Sequence, residues 1–423
     1  MSSSLIPVGL DISSLYSRVA IDGRQGVVSN TQGERFTLSL VGKEESGDYV
    51  FGDAGQRLAG HSSLKDAEEE AAQAYLRYLV QLAADNAAVS VDQLRLVMTV
   101  PAGDINWWDR VNQACKSLIP DKKKRKEGCV VGVMTKAAAT CVAQEALEGR
   151  ILVVDMDGDT SLLLTVLSVD AGVYTEVSAT TVDNVSGPAL LQILATHVAT
   201  HFERQNRLQK GEVWESKKAK NKLLKEAQRV LLSNGNTMKF MIDGLYDGMD
   251  CNVNVSKPRW ELMTSALLAQ VETALQVIED VDSVLLSGAW ATSVLKHSVQ
   301  KVFEDKLKAT TVVTPEEAVV LGCAKQAGWI LAKPGMSITT TTSEVTVSPV
   351  SIGIDDVILI PQGTPLPAKS NHTLAAASKL YQLAPQKVEL ADLNVEEETI
   401  LTVELSLEGQ LSIGFPGQPV MVI

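Results

Sequence analysis

One pattern occurs twice in this chain, and it limits the fold more than any other feature. Val8–Ile21 and Leu152–Thr165 each contain an apolar strand with an aspartate near its end, then a short polar turn, then a second strand. The turn of such a hairpin can aim backbone N–H groups at an anion, so the pattern predicts a phosphate-holding hairpin used twice. The aspartates are Asp11 and Asp155. Acids at the ends of matching strands in a duplicated αβ unit predict a ligand between the two halves.

The turns of the two hairpins are unusual for a phosphate site. Glycine lets a backbone approach an anion closely, but the first turn, residues 13–15, contains no glycine. The second turn has Gly158 flanked by Asp157 and Asp159. A carboxylate about 5 Å from a phosphate charge costs roughly 3 kcal/mol at an effective dielectric constant of about 20. Unless a metal offsets this cost, the turns look unsuited to catalysis.

Apolar periodicity divides most of the chain into two αβ halves. Residues 5–145 and 151–330 each read as a small mixed sheet followed by helices. The helices are expected at 66–88, 106–118, 136–145, 188–208, 215–233, 259–279, 292–303 and 315–331. We therefore predict one two-lobed domain over residues 1–335, with lobe I at about 1–150 and lobe II at about 151–335.

The composition changes after residue 335. Residues 336–344 are rich in serine and threonine and read as a polar linker. Residues 345–423 combine period-two alternation with Pro and Gly turns, which indicates strands throughout. This last segment predicts a small all-β sandwich that can bury only a modest core.

The bulk composition excludes several classes of protein. The formal net charge of −13 argues against a surface built for DNA or other nucleic acid. No apolar run approaches the ~18 residues of a membrane span, and Met1–Ile6 does not begin a signal peptide. The five cysteines are scattered and odd in number, which predicts reduced, buried thiols in a cytoplasmic protein. His197 and His201 lie four residues apart on a predicted helix, but no further ligand completes a metal site.

Six short motifs stand in the order in which the seventy-kilodalton heat-shock chaperones carry them. They are Gly9–Ala20 for GIDLGTTYSCVAV, Phe51–Ala54 for VGDAA, Met98–Ala102 for ITVPA, Asp155–Thr160 for DLGGGT, Asp243–Asp250 for DSLYEGID and Pro315–Ala324 for PDEAVAYGAA. Val347–Ile354 also resembles VTPLSLGIE, the start of the family's β-sandwich. The resemblance implies an α/β fold: the actin-like ATPase fold with duplicated ribonuclease-H-like αβ halves, followed by a truncated all-β sandwich that is similar to a substrate-binding domain.

Within that family the chain most resembles an atypical, ribosome-associated branch, the Ssz-type proteins. Asp250–Ser256, Pro361–Ala368 and His372–Leu374 carry this likeness. Members of the branch work with a zuotin-like J-domain protein, have a shortened β domain and lack a helical lid. The resemblance therefore implies the same partner, an association with the ribosome, a cytoplasmic location and a tail without a lid.

The resemblance also implies a site for ATP and Mg²⁺. Asp11 and Asp155 stand where the family holds a hydrated Mg²⁺, although both could serve only to cap their turns. The positions implied for nucleotide binding are Asp11, Ser13, Ser14, Leu15, Tyr16, Asp155, Gly158, Asp159, Thr160, Gly187, Arg229, Gly288, Ala289 and Glu316.

Several positions depart from the family where ATP hydrolysis requires them. Met134 stands in place of the family's water-positioning glutamate, and a thioether cannot accept a proton. The segment with the catalytic lysine is missing, which shortens a subdomain of lobe I and leaves Lys65 as the nearest stand-in. Ala291 replaces the arginine that stacks on adenine, while Trp290 could stack on a base or simply fill the core. The polar linker cannot dock in an apolar groove as the family's leucine-rich linker does.

These departures favour a degenerate ATPase that is not an enzyme. We expect a chaperone-like scaffold or regulator of a J-domain co-chaperone in co-translational folding, with any bound ATP left unhydrolysed. The basic loop Lys122–Lys126 could contact ribosomal RNA or an acidic partner, or could simply be solvated. The alternative is a weakly active ATP-dependent chaperone that binds unfolded peptides itself. A third class, a sugar kinase or actin-like filament protein of the same fold, is disfavoured by the β tail.

Overall fold

The computed structural model of the chain contains two compact units. The first comprises residues 1–151, 165–178 and 311–423, and the second comprises residues 152–164 and 179–310. The described residues are 5–13, 15–24, 26–58, 60–64, 66–99, 107–121, 129–146, 148–157, 161–170, 173–232, 237–291, 293–308, 313–332, 348, 350–355, 357–361, 364, 367–384, 387–393, 395, 398–406, 410–416 and 420–422. The predicted linker at 336–344 lies outside them, and the domain boundaries predicted from sequence stay a prediction.

Strands and helices follow the order expected from the sequence. The strands are β1 (Ile6–Ile12), β2 (Tyr16–Ile21), β3 (Thr37–Leu38), β4 (Leu40–Lys43), β5 (Tyr49–Phe51), β6 (Ser62–Ser63), β7 (Leu94–Thr99), β8 (Val130–Met134), β9 (Gly149–Asp155), β10 (Ser161–Asp170), β11 (Val173–Asp183), β12 (Thr237–Tyr246), β13 (Met249–Ser256), β14 (Ser283–Ser287), β15 (Ser351–Ile354), β16 (Val357–Ile360), β17 (Ala368–Leu374), β18 (Ser378–Ala384), β19 (Val388–Leu393), β20 (Thr399–Leu405), β21 (Leu411–Gly414) and β22 (Met421–Val422). The helices are α1 (Gly52–Gln56), α2 (Glu69–Ala87), α3 (Trp107–Leu118), α4 (Lys136–Ala143), α5 (Gly187–Gln205), α6 (Glu212–Glu215), α7 (Lys217–Leu232), α8 (Lys257–Gln276), α9 (Ser293–Phe303) and α10 (Ala318–Ala332). All eight predicted helices are confirmed to within a few residues at each end.

The first unit is built on a five-stranded sheet with the order β3-β2-β1-β7-β8. β1 pairs antiparallel with β2 and parallel with β7, and β7 pairs parallel with β8. One face of β1 buries Val8, Leu10 and Ile12 in a core that also contains Tyr75 and Leu79 of α2. Every residue from Val8 to Ile12 is buried, as a strand in a sheet covered on both faces requires.

A second sheet repeats the order of the first. Its strands follow the order β11-β10-β9-β14. If the strands of each sheet are numbered in chain order, both sheets have the order 3-2-1-4, and the first sheet adds β8 as a fifth strand at its edge. The repeat confirms the duplicated αβ halves that the two hairpins predict.

Helix α10 packs so closely in the first unit that two positions require glycine. A Cβ on Gly9 of β1 would lie 2.2 Å from the Val320 carbonyl oxygen, and one on Gly322 would lie 1.9 Å from the Ala139 carbonyl oxygen. The helix begins at Ala318 rather than at residue 315. Residues 315–317 form a turn, and the N–H groups of Glu317 and Ala318 both donate to the Thr314 carbonyl. β1, α10 and α4 therefore form one tightly packed stack behind the hairpin of β1 and β2.

The tail folds as the predicted β-sandwich. Its two sheets have the orders β16-β15-β18-β19 and β17-β20-β21-β22. One hydrophobic core joins them, with Ile352 and Leu380 from the first sheet and Leu401, Val403 and Ile413 from the second. Among the described residues, no helix has the length and hydropathy that a bilayer crossing needs.

Candidate functional site

Four side chains form a row across neighbouring strands of the first sheet. In the strand register Arg18 of β2 lies opposite Asp11 of β1, Asp11 lies beside Thr99 of β7, and Thr99 lies beside Met134 of β8. Residues in register project from the same face of a sheet. β1, β7 and β8 are parallel, and the row lies at their carboxyl ends, which is where α/β sheets bind ligands. We call Arg18, Asp11, Thr99 and Met134 the Asp11 row.

Asp11 is buried, and both of its carboxylate oxygens face members of the row. The Thr99 hydroxyl donates to Oδ1 at 2.7 Å, and Nη1 of Arg18 lies 4.0 Å from Oδ2. Arg18 is only 5% exposed and Asp11 only 2%. Taking two charges out of water is costly unless they pair, so each of these residues accounts for the burial of the other.

A second ion pair lies within electrostatic reach of Arg18. Nε of Arg35 lies 2.8 Å from Glu317 Oε1 and Nη2 of Arg35 lies 2.9 Å from Oε2, which is the bidentate arrangement. Burial raises the pKa of Glu317, while the positive charges of Arg35 and Arg18 lower it. The predicted binding residue Glu316, one position earlier, is exposed. The side chain that joins this charge cluster is therefore Glu317.

The first hairpin turn makes its hydrogen bonds within the chain. The N–H and the hydroxyl of Ser13 both donate to the Tyr16 carbonyl, at 3.0 and 2.7 Å, and the Tyr16 N–H donates to Ser13 Oγ at 3.3 Å. The Leu15 carbonyl accepts the Ser39 N–H at 2.9 Å. The N–H groups of Ser13 and Tyr16, two positions that the resemblance implies for nucleotide binding, thus already have partners in the hairpin. Ser14 lies outside the described residues, and the nucleotide contacts of this turn stay a prediction.

In the second unit, the ends of β9 and β14 are joined by backbone hydrogen bonds. The Met156 N–H donates to the Ser287 carbonyl at 3.0 Å, and the Trp290 N–H donates to the Met156 carbonyl at 3.1 Å. Gly288 has φ +95°, and a Cβ there would lie 2.6 Å from the Met156 carbonyl oxygen. Gly288 is thus required by the backbone itself. The predicted metal position Asp155 is buried at the end of β9.

Asp157 introduces a buried negative charge at this junction. Its Oδ1 accepts the Ala289 N–H at 3.5 Å, and the side chain is only 3% exposed. Ala289 is one of the predicted nucleotide positions, and its N–H points at a carboxylate of its own chain. A phosphate at that position would meet the repulsion that the sequence predicts for this turn. Gly158, Asp159 and Thr160 lie outside the described residues, as do Lys65 and the loop Lys122–Lys126.

The other predicted positions in the second unit have partners within the protein. The Trp290 ring lies against Gly187, where a Cβ would come within 2.1 Å of the indole. Trp290 is buried, which confirms the interpretation that it fills the core. Arg229 of α7 is largely exposed and pairs with Glu226 on its own helix at 2.5 Å. Whether Gly187 and Arg229 contact a nucleotide stays a prediction.

Comparison with known proteins identifies the family. Residues 132–399, well over half of the chain, match the family model described as Hsp70 protein. The chain belongs to the Hsp70 family. This confirms the resemblance on which the expected fold rests, whereas the ribosome-associated branch stays a prediction.

Three vertebrate Hsp70 relatives share the name heat shock 70 kDa protein 14. The Xenopus tropicalis protein is 30% identical over 256 residues, which cover 56% of this chain and 50% of that protein. The Danio rerio protein is 31% identical over 281 residues, covering 58% and 55%. In these alignments the chain spans about half the length of the curated relatives it matches. The Macaca fascicularis protein aligns over 462 residues, 93% of this chain and 89% of that protein, at 26% identity.

Membership of the Hsp70 family implies a nucleotide and Mg²⁺, so the fit of Mg²⁺ to Asp11 can be tested. The Arg18 guanidinium occupies one side of the Asp11 carboxylate. A doubly charged ion about 6 Å from a guanidinium is repelled by roughly 5 kcal/mol at an effective dielectric constant of about 20. This repulsion cancels over half of the roughly 8 kcal/mol of attraction that the Asp11 carboxylate would exert on the ion from about 4 Å, so the residues around Asp11 fit a divalent cation poorly. Among the described residues, no three His, Cys, Asp or Glu side chains converge as metal ligands do.

Sequence reasoning missed Arg18, Arg35 and Glu317. A signal for Arg18 existed, because an antiparallel hairpin around residues 13–16 places it directly opposite Asp11. The pair of Arg35 and Glu317 joins positions 282 residues apart. A single Hsp70 sequence contains no signal for a contact at that separation.

Proposed function

We propose that this chain is a non-hydrolysing member of the Hsp70 family that acts as a scaffold or regulator for a J-domain co-chaperone during co-translational folding. On this proposal the αβ halves keep the family's fold while the reacting groups of the ATPase are gone. The partner is a zuotin-like J-domain protein, the place of work is the cytoplasmic ribosome, and any ATP that binds stays intact.

The Asp11 row carries the proposal. Its fourth member, Met134, ends β8 beside Thr99, where the family resemblance calls for a water-positioning glutamate. Met134 is buried, and a thioether neither takes up a proton nor orients water. Since phosphoryl transfer depends on a positioned water and on electrostatic stabilisation of the transferring group, a methionine in this row removes the first requirement.

The charges of the two hairpins support the same conclusion. Asp11 has the Arg18 guanidinium beside it, and Asp157 adds a buried carboxylate two residues after Asp155. Arg18 acts against a metal ion at Asp11, and Asp157 acts against a phosphate at the second turn. All five cysteines are buried free thiols, as expected in a reducing compartment.

Co-purification from ribosomes tests the scaffold role. An affinity-tagged chain is recovered from ribosome pellets washed at low and at high salt, and its partners are identified by mass spectrometry. We expect a J-domain protein in about equal amount at both salt concentrations, because a stable partner is held by more than screened charge. Recovery of the chain without any J-domain protein would contradict the proposal.

A matched variant separates direct from indirect ribosome contact. All five basic residues of Lys122–Lys126 are replaced by glutamine. If the partner tethers the chain, the variant keeps both the partner and the ribosome. Loss of the ribosome with the partner retained would assign the contact to the loop instead.

Exposed apolar side chains on the tail favour a second candidate, a chaperone that binds unfolded peptides itself. Val357 and Ile358 of β16 are 52% and 53% exposed, and Met421 of β22 is 58% exposed. Exposed apolar patches mark binding surfaces when they are contiguous. Fluorescence anisotropy of an unfolded, apolar peptide with the full chain tests this candidate. Saturable binding that Ile358→Ser weakens would support it.

A further inference from the structure

We propose that Arg18 is the resident counter-ion of Asp11 and takes the place of a divalent metal at the first hairpin. The inference rests on the proposed function, because it concerns the same site. It goes further by naming the residue that makes the site independent of Mg²⁺.

The fold holds Arg18 in this position from two directions. The register of β1 and β2 sets Arg18 directly opposite Asp11, within two regular strands. The guanidinium carbon also lies 5.5 Å from the centre of the Tyr16 ring, a distance at which a cation is attracted to an aromatic face. Tyr16 is itself fixed by an edge-to-face contact with Phe36, with ring centres 5.0 Å apart. The guanidinium therefore has the Asp11 carboxylate and the Tyr16 ring as neighbours, and the ring packs against Phe36.

The charges around Arg18 balance without a metal. Asp11 and Arg18 form one buried pair of opposite charges, and the exposed Arg35 forms a second pair with Glu317. Arginine keeps its proton under all ordinary conditions, so the cluster cannot lose a positive charge to make room for a cation. A bound Mg²⁺ would leave the buried pair of Asp11 and Arg18 with an excess of two positive charges.

The role of Asp11 therefore differs from that of a metal ligand. A carboxylate that holds a hydrated metal must keep lone pairs available toward it. Here Thr99 donates to one oxygen of Asp11 and Arg18 faces the other. Asp11 serves to keep Arg18 buried and to join β1, β2 and β7, and its presence is not a sign of metal binding.

Thermal unfolding of the full chain tests the inference without any activity assay. The wild type, Arg18→Met, Asp11→Asn and the double variant are each melted in Mg²⁺ and in EDTA. We expect each single variant to melt several degrees lower than the wild type, because each leaves one buried charge behind. We expect the double variant to recover most of that loss, and Mg²⁺ to stabilise Arg18→Met but not the wild type.

A surface ion pair provides the matched control. Arg110 and Glu69 lie 3.1 Å apart with both side chains partly exposed. Arg110→Met, Glu69→Gln and their combination should melt close to the wild type, with no recovery in the double variant, because exposed pairs contribute little. If Arg18→Met fails to fold while the double variant folds, the inference is supported, since the unpaired carboxylate is then the cause.

Two results would overturn the inference. One is a stabilisation of the wild type by Mg²⁺ that disappears in the double variant, because Asp11 would then hold the metal. The other is a double variant whose melting temperature falls by the sum of the two single losses, or a double variant that does not fold. Neither result depends on ATP turnover or on the J-domain partner, so this inference and the proposed function can fail separately.

Discussion

At the scale of single residues, the role of an acidic side chain depends on the residues that lie beside it on the neighbouring strands. Asp11 would be read as a metal ligand from its motif alone. Arg18 on the neighbouring strand and Thr99 on the other side give it a structural role instead. Met134 closes the same row with a side chain that cannot do acid–base chemistry.

The hydrogen bond from Thr99 to Asp11 should contribute measurably to stability. Thr99→Val removes a buried donor at nearly constant volume, and a hydrogen bond to a charged group contributes about 1.5–3 kcal/mol. We expect the free energy of unfolding in urea to fall by about that amount. Thr273→Val is the control, because the Thr273 hydroxyl bonds to a carbonyl of its own helix on the exposed face of α8. Equal losses in the two variants would contradict the assigned role.

His197 should make the stability of the chain sensitive to acid. It lines a groove with His201 and Arg204 of α5 and Arg259 of α8. Burial lowers its pKa from the ordinary 6.5, and the charges of Arg259, His201 and Arg204 lower it further. The unfolded chain therefore takes up a proton more readily than the folded chain. The contribution of His197 is complete above its unfolded pKa and is lost as the pH falls through the folded pKa.

Melting curves between pH 7.5 and pH 5 would measure this sensitivity. The wild type should lose stability over that range, and His197→Gln should lose less. His297→Gln, an exposed histidine on α9, is the control and should behave like the wild type. If His197→Gln lost more thermal stability than the wild type as the pH falls, the inferred lowering of the His197 pKa would be wrong.

At the scale of elements, α10 fixes the geometry behind the first hairpin. It packs on β1 through Gly9 and on α4 through Gly322, with backbone against backbone in both places. Gly322→Ala would place a methyl group 1.9 Å from the Ala139 carbonyl oxygen. Because backbone cannot rotate away as a side chain can, we expect a loss of about 1–3 kcal/mol or more.

Chemical denaturation of Gly322→Ala measures that loss. Gly60→Ala is the control, since a Cβ there meets nothing within 4 Å and the residue lies on the surface. It should be neutral or slightly stabilising, because alanine restricts the unfolded chain. A Gly322→Ala variant as stable as Gly60→Ala would show that α10 and α4 can separate without cost.

The sequence predicts the helices and strands well but does not predict which charged side chains pair at the site, because periodicity is local and ion pairing is not. Helices such as α2 and α8 follow from apolar periodicity, which is a local property of the chain. The pairing of the first two strands in each sheet follows from the repeated hairpin, whereas the places of β7 beside β1 and of β14 beside β9 require the tertiary fold. The pairing of Arg18 with Asp11 requires the hairpin register as well, and the pairing of Arg35 with Glu317 requires the tertiary fold.

At the scale of the whole molecule, the chain keeps an Hsp70-type fold around altered chemistry. The sheets, the stack of β1, α10 and α4, and the sandwich core of the tail are each well packed. The residues on which the proposed loss of ATP hydrolysis rests, Arg18, Met134 and Asp157, lie at or near strand ends.

Release of inorganic phosphate from Mg-ATP by the purified full chain tests the central claim most directly. The wild type and Asp155→Ala are purified in parallel, so that a contaminating ATPase contributes equally to both. We predict that both release phosphate at the rate of the protein-free blank. Turnover by the wild type that Asp155→Ala abolishes would contradict the claim that this Hsp70 relative has given up ATP hydrolysis.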